Sequence, residues 1–246
     1  MKLLLDVGNT CLKVGVVDND GVKHLASIRH DSDWVGVVEK IVWPDMVSSI
    51  DIASVAGVDS ECKLGKVIQK KFGLAPIFHR SKRILGGVVN GYRDYERLGI
   101  DRWLAIVAAF QRIQGPLCVA DCGTSLTIDL VTAKGEHLGG YILPGMVLAR
   151  KSLLGGTRQV VVSVKEPPSN LILGKSSEEA VGHGTLLFMV ASIEKAAQEF
   201  QRSTGEEPRL VLTGGDAAII KTHLGFDALY IPELVLEGLY CSTKLS

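Results

Sequence analysis

Three short runs in this chain join a carboxylate to glycines that leave the backbone bare, and each can do phosphate chemistry. The first is Asp6–Val7–Gly8–Asn9–Thr10, at the end of an apolar run. Gly8 lets backbone N–H groups come close to a phosphate, and Asn9 and Thr10 add neutral donors. Asp6 repels a bare phosphate, so the role open to it is to hold hydrated magnesium, while Lys13 can reach a phosphate as a point charge. Taken alone, the run serves equally well as an ordinary hairpin turn. The second run, Asp121–Cys122–Gly123–Thr124–Ser125, repeats the pattern in the other half of the chain. Two such turns, one per half, can clamp a polyphosphate and its cations from two sides. The third is Thr213–Gly214–Gly215–Asp216. Its paired glycines permit an adenine or ribose to lie against the backbone, although any strand-to-helix turn also favours glycine.

A fourth group pairs a carboxylate with a cation. Asn90–Gly91–Tyr92 is followed by Leu98–Gly99–Ile100–Asp101–Arg102–Trp103, which opens a helical pattern. Asp101 at a helix start is either an N-cap or a general base. Arg102 can hold an anionic substrate by charge-assisted hydrogen bonds, and Tyr92 adds a hydroxyl and a wall.

These groups need elements to hold them. Leu3–Leu5 and Leu12–Val17 read as strands flanking the first turn, with Asp18–Gly21 as the next turn and Val22–Ile28 as a third strand. Asp31–Ser32–Asp33 offers an N-cap to a helix over Trp34–Val42. A strand over Ile50–Val55, a helix over Glu61–Phe72 and a short strand over Ala75–Phe78 follow. Arg80 to Leu98 is polar and glycine-rich and reads as a long surface loop before a helix over Ile100–Ile113. After Gly115–Pro116 the pattern restarts: strand, D-x-G turn, strand, with Gly135 in the place of Gly21, and a strand over Leu138–Leu143. A helix from Met146 to Leu154, a loop holding Pro167–Pro168, a long helix from Glu178 to Arg202, a strand over Arg209–Leu212 and a last helix complete the second half. The restart predicts two duplicated α/β subdomains, residues 1–114 and 115–246. In the long helix, Leu186, Leu187, Phe188, Met189 and Val190 suit either core or a contact surface.

Composition narrows the class further. The 246 residues carry 27 basic and 27 acidic side chains, so the basic excess of a nucleic-acid binder is missing and Arg80–Ser81–Lys82–Arg83 is the one short basic run. No apolar run reaches the roughly 18 residues needed to span a bilayer, and Asp6 interrupts the leucine run near Met1 where a signal peptide needs continuity. The expectation is a cytoplasmic protein with no membrane partner. Cys11, Cys62, Cys118, Cys122 and Cys241 form no paired zinc pattern, which favours free thiols, with Cys118 and Cys122 on one strand face.

The two D-x-G turns and T-G-G-D, in that order, resemble the actin-like ATPase superfamily of sugar kinases, actin and Hsp70. With Tyr92 and the Gly99–Arg102 run as Y-x-x-x-x-x-x-G-x-D-R, the chain resembles the type III pantothenate kinases from Leu4 to about Asp216. The resemblance implies an α/β fold of two duplicated ribonuclease H-like subdomains around a nucleotide cleft. It implies ATP-dependent phosphorylation of pantothenate, the first step of coenzyme A biosynthesis. ATP with Mg2+ would lie along Asp6, Val7, Gly8, Asn9, Thr10, Cys11, Leu12 and Lys13, with Thr124 on the opposite side. Pantothenate would be held by Tyr92, Gly99, Ile100, Asp101 and Arg102, with Asp101 accepting the proton. Asp121 would hold the monovalent cation, K+ or NH4+, and the protein would be a homodimer. Ser177 stands where the family has a substrate-contacting threonine and keeps the hydroxyl, and a helix N-cap is its other role. A proline common between the tyrosine and G-x-D-R is replaced by Arg93–Asp94–Tyr95–Glu96–Arg97, which bears on the loop's shape. Two rival readings share the fold. One is a nucleotide-binding regulatory protein, against which the retained Asp6, Asp101, Arg102, Asp121 and Thr124 argue. The other is a kinase of a different small alcohol, which has no need of Arg102 for an anion.

Overall fold

The leucine run near Met1 becomes the central strand of a sheet. In the computed structural model, which describes residues 1–30, 33–156 and 171–245, β1 (Lys2–Val7) pairs antiparallel with β2 (Cys11–Asp18), and β2 with β3 (Gly21–Arg29). Asp33 caps α1 (Trp34–Glu39) by accepting from the Gly36 N–H at 3.3 Å. This helix ends three residues before the expected Val42; Asp31 and Ser32 of the expected cap run lie outside the described residues. β4 (Ser49–Ser54) then pairs parallel to the free side of β1, α2 (Val58–Phe72) crosses over, and β5 (Ile77–Phe78) pairs parallel with β4. The resulting sheet order is β3-β2-β1-β4-β5. Leu3, Leu4 and Leu5 are all fully buried, because a central strand covered on both faces reads as an unbroken apolar run. Leu3, Leu5 and Val7 meet Trp34, Val37, Leu64 and Ile68 of the covering helices.

The expected surface loop over 80–98 is a folded segment. It contains a hairpin of β6 (Ile84–Leu85) and β7 (Val88–Val89) and a 3₁₀ turn over Tyr95–Arg97. Ser81, Asn90 and Leu98 are buried in it. Most of its charged side chains are exposed, but its buried polar side chains, Ser81 and Asn90, spend their hydrogen bonds inside the segment, as buried groups must. It delivers the chain into α3 (Ile100–Ile113).

The second half repeats the topology. β8 (Leu117–Cys122), β9 (Ser125–Val131) and β10 (His137–Pro144) form an antiparallel meander, followed by α4 (Met146–Gly156) and α5 (Ser177–Thr204). β11 (Arg209–Thr213) pairs parallel with β8; then come α6 (Ala217–Lys221), β12 (Ala228–Tyr230) and α7 (Leu234–Lys244). The order β10-β9-β8-β11-β12 matches that of the first sheet strand for strand. The loop with Pro167–Pro168 lies outside the described residues. In α5, Leu186, Met189 and Val190 join the core with Ile193 and Phe200, whereas Leu187 and Phe188 stay exposed.

The expected second subdomain, residues 115–246, needs one correction. The compact units are Met1–Ile113 with Glu233–Ser246, and Gln114–Pro232. Helix α7 therefore belongs with the first unit, not with residues 115–232, because its apolar face packs on α3 and β1. Leu234, Val235, Leu236 and Leu239 are buried there, and Gly238 lies so close to the Leu104 backbone that any side chain would collide with it.

Candidate active site

The β1–β2 ladder runs down to the pair Val7 and Leu12, leaving Gly8 to Cys11 as the turn. The Gly8 N–H donates to the Cys11 carbonyl at 3.0 Å. Val7 and Leu12 are core residues, so only their backbones face the turn's chemistry, whereas Asn9 and Thr10 are exposed. Asp6 and Lys13 stand directly opposite each other in the ladder, with both side chains half-buried. Burial pushes the Cys11 thiol up, partly offset by the Lys13 charge. His30, at the end of β3, closes the turn from the side. Its backbone N–H donates to the Thr10 carbonyl at 3.1 Å, and Nε2 lies 3.0 Å from the Gly8 carbonyl. A carbonyl only accepts, so Nε2 carries the proton. The ring packs on Trp34 at 4.4 Å between centroids, and Trp34 Nε1 donates to Ser60 at 3.0 Å. Nothing in the sequence singled out His30, since a turn signal does not name the distant residue beneath it.

The second turn is shorter. Cys122 pairs with Leu126, so only Gly123 to Ser125 lie between, and the Gly123 N–H donates to the Ser125 carbonyl at 3.1 Å. The two D-x-G turns thus share a strand frame but not a length. Thr124 is exposed, and its carbonyl accepts from the Gly145 N–H at 3.1 Å. Asp121 sits level with Thr127 on one side and Thr213 on the other. The T-G-G-D run closes against this turn. Gly214 has φ +91°, and a Cβ there would lie 2.5 Å from Asp121 Oδ1 and 2.6 Å from the Cys122 carbonyl. The Asp216 N–H donates to the Cys122 carbonyl at 2.9 Å. Asp121 and T-G-G-D are therefore one site, held together only because residue 214 has no side chain. Arg150 of α4 is a residue that sequence reasoning missed. It is buried, which lowers its pKa, while the nearby Asp216 charge opposes that shift.

A carboxylate among carbonyl and hydroxyl oxygens is a hard donor set, fit for Mg2+, K+ or NH4+ and unfit for zinc. Among the described residues no group of three or more His, Cys, Asp or Glu could hold a metal ion by itself. A divalent ion held by one carboxylate and by substrate phosphates is the arrangement such a site allows.

The third cluster lies in the first unit. The Gly99 carbonyl accepts from the Trp103 N–H at 2.9 Å, which makes Gly99, not Asp101, the N-cap residue of α3. Asp101 lies inside the first turn, half-buried, with Oδ1 2.7 Å from the Arg102 N–H. Arg102 is only 6% exposed, and its Nη1 donates to the Tyr92 hydroxyl at 2.7 Å, with its guanidinium 5.5 Å from the tyrosine ring. Ile100 is buried and offers only its backbone. Tyr92, Gly99, Asp101 and Arg102 are thus brought together. Ser177 belongs to the second unit, where it occupies the first turn of α5, exposed. The capping role weighed for it falls to Ser176, which accepts from the Glu179 N–H at 3.2 Å while Glu179 returns to the Lys175 N–H at 2.6 Å.

The family model of the type III pantothenate kinases matches residues 2–199. The chain belongs to that family. A type III pantothenate kinase of Alcanivorax borkumensis is 36% identical over 241 residues, 97% of each chain. Among solved structures, a Campylobacter jejuni protein assigned to the Baf family of transcriptional activators superposes with a TM-score of 0.62 at 23% identity, over 98% of this chain and 97% of that one. A Sinorhizobium meliloti protein assigned as a 2-dehydro-3-deoxygalactonokinase gives 0.57 at 13% identity, over 99% and 98%. These two likenesses establish the fold. The family is one of kinases, so the enzyme is an ATP-dependent phosphotransferase that works with ATP and a divalent cation. Among the described residues no helix is long and apolar enough to cross a membrane.

Proposed function

We propose that this enzyme transfers the γ-phosphoryl group of ATP to the primary hydroxyl of pantothenate, giving 4'-phosphopantothenate as the first step of coenzyme A biosynthesis. The observation that carries the reading is the Asp101–Arg102 pair. A half-buried carboxylate and a buried guanidinium pinned by Tyr92 occupy one helix turn. Arg102 offers the carboxylate of pantothenate a cation fixed in place before the substrate arrives. The Asp101 carboxylate takes the proton of the hydroxyl as that oxygen bonds to the γ-phosphorus, and the electron pair of the breaking P–O bond leaves on ADP. Gly8, Asn9, Thr10 and Lys13 hold the phosphates, with Thr124 as a further contact, and the backbones of Val7, Cys11 and Leu12 complete the turn. Magnesium at Asp6 and a monovalent cation, K+ or NH4+, at Asp121 offset phosphate charge when bound. Ser177 is the additional substrate contact.

A homodimer is part of the same proposal. Tyr141, Ile142, Val147, Leu148, Leu187 and Phe188 expose large apolar surface on β10, α4 and α5 of one unit, which water disfavours. Dependence on ATP and a coenzyme precursor fits a cytoplasmic enzyme. The test is ADP release by purified protein with ATP, magnesium and pantothenate, in potassium or ammonium and then in sodium. Pantothenate-dependent turnover that needs the larger cation is expected. No turnover from folded protein that still binds nucleotide would move the assignment to a regulatory protein or to another alcohol kinase.

A further inference from the structure

Between β5 and α3, an amide that touches none of the proposed ligand-holding side chains is completely buried. Asn90 is 0% exposed, and its side-chain amide spends both donors and its acceptor. Its Nδ2 donates to the Lys82 carbonyl at 3.3 Å and to the Tyr95 carbonyl at 3.2 Å. Its Oδ1 accepts from the Tyr92 N–H at 3.0 Å, and its own N–H donates to the Arg83 carbonyl at 2.9 Å. One planar group therefore ties together the chain entering the β6–β7 hairpin, the 3₁₀ turn and the backbone of Tyr92. Ser81 closes the base of the same segment, its buried hydroxyl donating to the Leu98 carbonyl at 2.7 Å. Only an amide supplies two donors and an acceptor in one plane; aspartate has no donor, and serine reaches too few partners.

The route from this amide to the chemistry is short. Asn90 fixes the Tyr92 backbone, the Tyr92 hydroxyl receives Arg102 Nη1 at 2.7 Å, and Arg102 adjoins Asp101. We propose that Asn90 is a positioning residue for the phosphoryl acceptor, which it serves by setting the Tyr92 hydroxyl and through it the Arg102 guanidinium. The inference rests on the reading of Tyr92 and Arg102 as the pair that holds pantothenate. Through Asn90, the buried hydrogen bonds of the 80–98 segment fix the placement of one cation.

The experiment measures kcat, KM for pantothenate, KM for ATP and thermal unfolding for the full chain and for Asn90→Ser, Asn90→Asp, Tyr92→Phe and Asn90→Ser with Tyr92→Phe. Asn90→Ser is expected to raise KM for pantothenate about tenfold or more, the effect of one good hydrogen bond, with KM for ATP unchanged within about twofold. In the Tyr92→Phe background the same substitution is expected to do much less, because its route passes through the tyrosine. A lowered unfolding temperature with an unchanged pantothenate KM, equal rises in both KM values, or failure of both Asn90 single variants to fold would each overturn the proposal and leave Asn90 a purely structural residue. Tyr92→Phe separates the two readings. If it raises the pantothenate KM and the Asn90 variants do not, only the positioning role fails; if it has no effect, the reading of the tyrosine itself fails.

Discussion

In the proposed reaction Asp101 and Arg102, neighbours in sequence, have opposite roles, one to take a proton and one to hold a charge still. Asp101→Asn keeps the shape and removes the base, so kcat is expected to fall by about 10²–10⁴ with little change in KM for ATP. A variant that keeps near-native kcat would sink the base assignment. The thiols offer a second test at this scale. Burial pushes the Cys118 thiol up to about 12 and Cys122 well above its ordinary range, with Asp129 and Asp121 respectively adding to the rise. Thiolate is the reactive form, so at pH 8 about one Cys118 in ten thousand is reactive, even before access is considered. Exposed Cys62 is expected to alkylate first, and Cys118 and Cys122 only after denaturant is added, as peptide mass spectrometry would record. Early labelling of the buried pair would contradict the packing of β8. The D-x-G and G-x-D-R residues were legible in the sequence because their chemistry is local to a turn. His30 and Arg150 were not, because each acts on residues that only folding brings near.

The elements that carry the site depend on two kinds of glycine. Gly21 has φ +119°, and a Cβ there would meet nothing within 4 Å, so Gly21→Ala meets only backbone strain, about 1–2 kcal/mol. Gly214 combines φ +91° with a Cβ position 2.5 Å from Asp121 Oδ1. Gly214→Ala is therefore expected to cost more than Gly21→Ala in urea unfolding and to abolish turnover, since Asp121 or the T-G-G-D turn must move. Equal costs would show that the close approach carries no energy. Strands and helices with a clean period were predictable to within a few residues. The 80–98 segment was not, because its exposed charges give it the composition of a solvated loop and its buried Ser81 and Asn90 follow no period.

For the molecule as a whole, the last helix is bound to the first sheet. Removing residues 233–246 takes Leu234, Val235, Leu236 and Leu239 from the first unit's core and is expected to leave it unfolded, although the deletion lies far from that unit in sequence. Native-like circular dichroism and cooperative unfolding of the truncated chain would refute this. On the outer surface, Ile142→Glu with Leu187→Glu places charge among exposed apolar residues, which should convert the proposed dimer to monomers in sedimentation velocity without lowering the unfolding midpoint.

The duplication, the glycine turns beside Asp6, Asp121 and Asp216, and the adjacency of Asp101 and Arg102 are readable in the sequence by itself, because each is written in residues within a few positions of one another, whereas the order of strands in each sheet is not. Only the tertiary structure decided which unit owns α7, that the two D-x-G turns differ by a residue, and that Asp121 and Gly214 share one site. Local pattern reports period and turn chemistry, whereas these contacts join residues distant in sequence or set lengths that packing alone selects.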